Sequence, residues 1–220
     1  MNLFVSPEFL SKWPHIQLGC IACRVEAGPP VGAMWVEIDE LGQRLRSEYQ
    51  MDQISSIPAI HSARKAYRAL GKDPARYRLS AEALTRRVLK GEALYRLNNV
   101  VDLINFVSLK TGFSIGGYDA DKIEGNVSLS IGKADDVYDA LGRGLLNISS
   151  LPVLRDGIGV FGSPTSDSVR TGIQVETNNV LWVFFDFGTS CLLPGAMEFA
   201  VQGLMRYAHA TEIKHEIIMP

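Results

Sequence analysis

The chain has 220 residues, of which 46% are hydrophobic and 21% are charged, and its net charge is −2. This composition excludes a disordered chain, a collagen and a disulfide-stapled mini-protein, and the length suffices for one large domain or two small ones. We expect no membrane span, because the longest near-continuous apolar run, residues 180–187, is short and contains Asp186. Residues 1–13 lack the pattern of a signal peptide. Three cysteines, an odd number, favour a reducing compartment, so we expect a cytoplasmic protein.

The charge is unevenly distributed along the chain. Between residues 64 and 96 the sequence carries three acidic and ten basic side chains, the latter being Arg64, Lys65, Arg68, Lys72, Arg76, Arg78, Arg86, Arg87, Lys90 and Arg96. This basic window therefore carries +7 and the rest of the chain −9. A locally basic segment in an acidic protein favours a polyanionic partner, although a pair of solvated helices would also explain it.

The first half of the sequence predicts one strand followed by helices. The strand covers residues 16–25, and the helices cover 39–56 (capped by Asp39), 59–70 (ended by Gly71), a segment from Ser80 to Gly91, and 99–112. In the last of these, Val100, Ile104 and Val107 recur at helical spacing.

The second half of the sequence predicts mainly strands. Strand patterns occur at residues 127–131, around Leu145, Val153, Ile158 and Ile173, and at 180–185, whose fully apolar pattern indicates a central strand; a closing helix covers 194–207. We therefore expect one compact α+β domain over residues 1–220, in which helices of the first half pack on a mostly antiparallel sheet from the second half.

Neither of two possible metal or redox patterns is convincing. Cys20 and Cys23 lie in the first predicted strand, where a spacing of three puts them on opposite faces, so we expect buried, unreactive thiols. His209, Glu212 and Glu216 could share one helix face and hold a metal, but a frayed polar C-terminus explains them as well. We predict neither a metal nor a cofactor.

Three polar clusters are candidate sites. On the predicted helix 99–112, Asn98, Asp102 and Asn105 form one polar stripe that carries amides and an acid but no lysine. The second cluster is Gly116, Gly117, Tyr118 and Asp119, where a glycine pair would let a ligand approach the backbone, or would make a plain turn. The third is a loop with Ser168, Arg170 and Thr171 before a strand, a common place for binding residues.

Together these residues resemble a known family. Asn99-Val-Val-Asp102-Leu-Ile-Asn105 and Tyr118-Asp119-Ala-Asp121-Lys122 are similar to the editing module, the B3/B4 domain, of the phenylalanyl-tRNA synthetase β subunit. The resemblance covers roughly residues 60–210 and also includes Thr177-Asn-Asn-Val-Leu181. It implies an α+β fold, proximity to tRNA, and a pocket that hydrolyses wrongly charged aminoacyl-tRNA, with Asn105 matching a pocket asparagine of the family. It includes none of the synthetase's catalytic, anticodon-binding or tRNA-clamping regions, so we do not expect this chain to form aminoacyl-tRNA.

The sequence departs from the family at two pocket positions. Where the synthetase module has His-Ala-Phe-Asp, this chain has Gly116-Gly117-Tyr118-Asp119, and where that module has a glutamate that would contact a tyrosine hydroxyl, this chain has Val183. A pocket without that acceptor should lose selectivity for a hydroxyl group. The resemblance thus implies either a free-standing module that deacylates tRNA in trans, or a non-catalytic module that binds RNA or an amino-acid-like ligand.

These inferences define a set of predicted site residues. We expect Asn105 and Asp119 to serve catalysis. Substrate contacts are expected from Asn98, Asp102, Gly116, Gly117, Tyr118, Ser168, Arg170 and Thr171. RNA contacts are expected from Arg64, Lys65, Arg68 and Arg96. Asn105, Gly116, Gly117 and Asp119 should border one pocket.

Overall fold

The computed structural model describes residues 2–189 and 191–220, within which there are six helices and ten strands. The helices are α1 (Pro7–Lys12), α2 (Gly32–Glu48), α3 (Pro58–Ala69), α4 (Ser80–Leu89), α5 (Asn99–Thr111) and α6 (Leu193–Ala208). The strands are β1 (Leu3–Val5), β2 (Gln17–Arg24), β3 (Ser114–Asp119), β4 (Val127–Ile131), β5 (Val137–Ala140), β6 (Gly144–Asn147), β7 (Pro152–Arg155), β8 (Val160–Gly162), β9 (Asn179–Asp186) and β10 (Thr211–Ile218).

The strands form two four-stranded sheets and one hairpin. The central sheet has the order β10-β2-β9-β3 and is antiparallel throughout. The second sheet has the order β1-β4-β7-β8, with β1 parallel to β4 and the other pairs antiparallel, and β5 pairs with β6 as a hairpin. The predicted α+β class with a mostly antiparallel sheet is confirmed.

Two hydrophobic cores lie on the two faces of the central sheet. Because side chains alternate along a strand, Val180, Trp182 and Phe184 of β9 pack into the core that includes α2, α5 and α6. The intervening Leu181, Val183 and Phe185 pack into the core that includes the second sheet, α1 and α3. Burial on both faces explains why this strand is apolar throughout, and its predicted central position is confirmed.

The helix predicted over residues 99–112 is confirmed, with α5 covering Asn99–Thr111. Asn98 has extended backbone angles, and its side chain accepts a hydrogen bond from the Val101 backbone N–H at 2.8 Å. Gly112 ends α5 in the left-handed conformation with φ of +77°. The chain then enters β3 directly, so the end of α5 and the start of the sheet are rigidly linked.

Helix boundaries in the first half differ from the predicted ones in two places. α2 begins at Gly32 rather than at Asp39, because Met34, Trp35 and Ile38 extend its buried stripe by two turns, and it ends at Glu48. Residues 53–56 form a separate short 3₁₀ turn. The helical segment predicted from Ser80 to Gly91 is α4, which begins at Ser80 with Leu79 before it as the cap and ends at Leu89.

Two strand predictions in the second half are wrong, and the C-terminal residues form a strand rather than a frayed end. Ile158 and Ile173 lie outside strands, in connections where their neighbours do not pair. Residues 211–218 form β10, paired with β2, so His209, Glu212 and Glu216 share no helix face. Within the described part of the chain no group of His, Cys, Asp or Glu is arranged to hold a metal.

The cysteine prediction is confirmed by the strand geometry. Cys20 and Cys23 of β2 are both buried, and they point into the two different cores. Burial, with Glu216 nearby, raises the pKa of Cys20 to about 12, and burial raises the pKa of Cys23 to about 11. At such values the thiolate is scarce, so neither thiol is a nucleophile at neutral pH.

Candidate functional site

A cavity of about 530 Å³ opens beside α4, and most of its charged lining residues are basic. It is bounded by α4, by the irregular segment 92–98, by Asn105 of α5, by the tip of the β5–β6 hairpin and by the loop 163–166. Among the described lining residues there is one acid, Glu92, and five basic residues, namely Arg78, Arg86, Arg87, Lys90 and Arg143. Its uncharged polar groups are Ser80, Asn105, Thr165 and Ser166. This cavity combines a positive potential with hydrogen-bonding groups, which suits an anionic ligand.

A buried carboxylate organises the arginines of this cavity. Glu82 of α4 is 1% exposed and accepts hydrogen bonds from Arg64 at 2.7 Å and from Arg86 at 3.2 Å. The Nε atom of Arg78 lies 3.8 Å from the same carboxylate. Arg86 lies one helical turn after Glu82 in α4, so the helical repeat places it beside the carboxylate, whereas Arg78 approaches from the segment just before the helix. The two arginines thus have defined positions at the cavity.

Three buried tyrosines hold the loop that forms the opposite wall. The hydroxyl of Tyr67 lies 3.0 Å from that of Thr165, and the hydroxyl of Tyr138 lies 3.0 Å from that of Ser163. The hydroxyl of Tyr118 donates to Asp167 at 2.7 Å. The loop is therefore anchored at three points along five residues, which fixes the positions of the hydroxyl groups that line the cavity.

Asp167 has an unusual protonation equilibrium. Burial raises the pKa of its carboxyl group to about 7, although hydrogen bonds from Tyr118 and from the backbone N–H groups of Gly117 and Ser163 oppose that rise. Burial, together with the Asp167 charge, raises the pKa of the Tyr118 hydroxyl well above its ordinary value. The pair therefore consists of a neutral phenol and an acid that titrates near neutral pH.

The structure places Asn105 in the cavity but gives the other two residues of the polar stripe structural contacts. Asn98 caps α5, as described above. Asp102 is fully buried and accepts from the Trp35 indole at 2.8 Å and from the Leu97 backbone N–H at 2.9 Å. Burial raises the pKa of Asp102, and these two hydrogen bonds oppose the effect. The polar stripe lacks lysine at these two positions because Asp102 is buried and Asn98 caps the helix.

The glycine pair lies in strand β3, and neither glycine has a positive φ, contrary to the turn-like geometry expected for it. A Cβ at Gly116 would overlap the hydroxyl of Tyr118, which lies between Gly116 and Gly162. A Cβ at Gly117 would overlap Ile104 of α5 on the other face. Because the space beside both glycines is occupied by side chains, neither belongs to the described lining of the cavity.

Asp119 also lies outside the cavity lining. Its carboxylate accepts from the Thr177 hydroxyl at 2.8 Å and faces the Lys122 ammonium at 3.3 Å. It also accepts from the Asp121 backbone N–H at 3.2 Å and so fixes the turn after β3. The four residues expected at one pocket are therefore not brought together there: Asn105 is in the cavity, and the other three are not.

The residues of the third predicted cluster contact one another and a nearby acid. The guanidinium of Arg170 binds both carboxylate oxygens of Asp156, at 3.0 and 2.9 Å, which holds the pKa of that buried acid below its usual value. Ser168 accepts from the backbone N–H of Arg170 at 3.2 Å. Thr171 is fully buried, and its hydroxyl has no hydrogen-bond partner among the described residues.

The four predicted RNA contacts have different surroundings. Lys65 and Arg68 are exposed on α3, whereas Arg64 is largely buried against Glu82. The guanidinium of Arg96 lies 4.6 Å from the ring centre of Trp35. Arg64 therefore contributes to the arrangement of the cavity rather than to an exposed basic surface.

Sequence reasoning missed Tyr95, Arg143, Thr165 and Ser166 of the cavity. Tyr95 carried a usable signal, since it is an aromatic residue between basic ones in a segment without periodicity. Arg143, Thr165 and Ser166 reach the cavity only through the long-range packing of the hairpin and the loop, so nothing near them in the sequence indicated it.

Comparison with known proteins identifies the family. A model of the B3/4 domain matches residues 62–188, more than half of the chain, so the chain belongs to the B3/4 domain family. Among solved structures it is similar to an N-terminal fragment of the phenylalanyl-tRNA synthetase beta-subunit from Pyrococcus horikoshii, with a TM-score of 0.50 and 14% identity. The match covers 96% of this chain and 50% of that one, so the chain spans about half the length of the fragment, and the likeness shows a shared fold. No curated protein matches the chain. Within the described residues, no helix is long and apolar enough to cross a membrane.

Proposed function

We propose that this B3/4 protein binds the acceptor end of a tRNA at the basic cavity and hydrolyses an aminoacyl ester there in trans. The observation that carries the proposal is the position of Asn105: the predicted pocket asparagine lines a cavity rich in arginines. A volume of about 530 Å³ accommodates an amino acid joined to a terminal ribose, since cavities of ~300–1,000 Å³ hold small ligands. The arginines supply the charge that a polynucleotide requires.

The lining residues favour attack by water over a covalent mechanism. Among the described lining residues there is neither a histidine nor a cysteine, so no hydroxyl has a neighbouring imidazole to activate it. In the proposed reaction a water oxygen bonds to the ester carbonyl carbon, and the bond from that carbon to the ribose oxygen breaks. The products are a free amino acid and a free ribose hydroxyl. The Asn105 amide is suited to donate to the developing oxyanion or to hold the water.

The proposal does not include selectivity for tyrosine. Gly116 and Val183 stand opposite each other in the register of β3 and β9, at the positions where the family has a histidine and a glutamate. Neither residue offers a side-chain acceptor for a substrate hydroxyl, so we expect no preference for tyrosine over phenylalanine. As a tRNA-directed enzyme the protein would act in the cytoplasm.

The experiment is a deacylation assay with a panel of mischarged tRNAs carrying radiolabelled amino acids. We expect ester hydrolysis above the rate without protein for at least one pair, and about a hundredfold slower hydrolysis in Asn105→Ala. The matched control is Asn126→Ala, an exposed asparagine outside the cavity, which should keep the wild-type rate. Equal rates with and without protein over the whole panel would contradict the enzymatic proposal.

The second candidate is a binding protein without catalysis. The observation that favours it is the Tyr118 side chain, which fills the space beside Gly116 with a phenol already bonded to Asp167. Such a protein would bind aminoacyl-tRNA and leave its ester intact. Tight binding of charged tRNA with unchanged ester lifetime would select this candidate.

A further inference from the structure

We infer that the rim of the cavity is a subsite for single-stranded RNA, in which Tyr95 stacks on a base and Arg78 and Arg86, positioned by Glu82, bind a phosphate. This inference rests on the proposed tRNA-directed function and adds the recognition of the unpaired nucleotides beside the ester. The chemistry required is an aromatic face for a base together with guanidinium groups for a phosphodiester.

Tyr95 has the geometry of a stacking platform. It lines the cavity and is 67% exposed, although tyrosine is a large and partly apolar side chain. The guanidinium of Arg87 lies 4.4 Å from its ring centre, and the Arg87 Nε donates to the Ala93 carbonyl at 2.6 Å. Arg87 thus holds the ring and its backbone segment together from one side. The exposed remainder of the ring is available to a base, and stacking of this kind accepts any base.

Glu82 gives the neighbouring arginines fixed directions. Its buried carboxylate engages Arg64, Arg78 and Arg86, so three long side chains are held by one group. A guanidinium has five N–H donors, and one carboxylate shared among three of them leaves most of these donors unused. The Arg78 Nε is buried and has no hydrogen-bond partner among the described residues. Arginines on an ordinary solvent-exposed surface need no buried carboxylate, because water accepts hydrogen bonds from their N–H groups. The buried Glu82 therefore indicates that these arginines are held in position.

The Glu82→Gln variant distinguishes positioning of the arginines from the effect of net charge, because the two explanations predict opposite changes in RNA affinity. The substitution removes one negative charge beside the cavity, so purely electrostatic attraction would make RNA bind more tightly. If Glu82 positions Arg78 and Arg86, their alignment is lost and RNA binds more weakly. We expect binding about fivefold weaker, and rescue in part by Glu82→Asp.

The assay measures the binding of a fluorescein-labelled, eight-nucleotide single-stranded RNA that ends in CCA and carries no amino acid. We expect Tyr95→Ala to weaken binding about tenfold and Tyr95→Phe, which keeps the ring face, to change it less than twofold. Tyr77→Ala is the matched control: Tyr77 also lies in the basic window with a lysine over its ring, at 4.1 Å, but is not among the described lining residues. The blunt duplex of the same length should bind more weakly and should not distinguish Tyr95→Ala from wild type.

The outcomes separate this subsite from the proposed hydrolysis. Oligonucleotide binding that depends on Tyr95, with no deacylation of any charged tRNA, supports the subsite and refutes the catalytic proposal. Deacylation with unchanged oligonucleotide affinity in Tyr95→Ala refutes the subsite alone, as does equal or tighter binding by a folded Glu82→Gln protein. Because Tyr95 is exposed, its variants should retain the wild-type melting temperature, so the test stands even if the Glu82 variant is unstable.

Discussion

Folding stability should fall as the pH rises from 5 to 7, because Asp167 is protonated in the folded protein over that range. Its carboxyl group has a pKa of about 7 in the folded state, against 3.8 for an unperturbed aspartate. The raised pKa means that the folded state binds a proton that the unfolded chain has released. The contribution to stability is therefore complete below pH 3.8, decreases as the pH approaches 7, and is absent above that value.

The magnitude follows from the size of the shift. Each pH unit between the two pKa values changes the free energy of unfolding by about 1.4 kcal/mol. Between pH 5 and pH 8 the loss attributable to Asp167 is about 2 to 3 kcal/mol, most of it below pH 7. For a chain of this length that loss corresponds to a decrease of about 5–10 °C in the melting temperature.

The assay is urea denaturation followed by tryptophan fluorescence at a series of pH values, for wild type and for Asp167→Asn. The variant has an uncharged side chain of the same shape, so it should match wild type at pH 5 and exceed its stability by about 2 kcal/mol at pH 8. Asp102, whose pKa is also raised, contributes the same trend to both proteins and cancels in the difference. Asp156→Asn is the control of opposite sign, because its pKa is lowered and its charge stabilises the fold. Identical pH dependence in wild type and Asp167→Asn would refute the reasoning.

Three further predictions concern packing, an ion pair and a thiol. Gly116→Ala should lower the free energy of unfolding by about 3 kcal/mol in a denaturation experiment, because its Cβ overlaps the Tyr118 hydroxyl; unchanged stability would contradict that overlap. Arg170→Lys should lower the free energy of unfolding by about 1–2 kcal/mol in the same experiment, because an ammonium cannot bind both carboxylate oxygens of Asp156 as the guanidinium does. Unchanged stability would show that the paired hydrogen bonds do not stabilise the fold. Iodoacetamide should modify Cys191 alone in the native protein, as read by peptide mass mapping, because the other two thiols are buried.

Local patterns predicted the elements whose environment is uniform along their length. The apolar stripe of α5 and the apolar run of β9 face packed cores along their whole length, so their sequence pattern corresponds directly to the residues that are buried. The start of α2 was missed because Gly28-Pro29-Pro30 precedes it and reads as a loop, while tertiary burial of Trp35 continues the helix. β10 was missed because an edge strand with alternating charge pairs with β2 through long-range contacts alone.

The candidate site was predicted only in part, for a related reason. Asn105 could be found because a family resemblance points to it. The polar neighbours of Asn105 looked equally functional in sequence, yet Asn98 caps a helix and Asp102 binds Trp35 in the core. Glu82 was counted as one acid among many bases, and the sequence did not indicate that it is buried and paired with Arg64 of α3.

The two positions at which this chain differs from the synthetase module that it resembles are neighbours in the structure. Gly116 and Val183 are paired across β3 and β9, so the missing histidine and the missing glutamate leave space at the same place on one face of the sheet. Tyr118 stands where the resemblance to the synthetase module places a phenylalanine, and its additional hydroxyl occupies the space between Gly116 and Gly162 and donates to Asp167. A histidine restored at position 116 would meet that hydroxyl, so it could not reach its family position unless the tyrosine changed as well. The phenol is therefore part of the packing on this face of the sheet, and the chemistry proposed for the protein rests on the separate cavity beside α4 and Asn105.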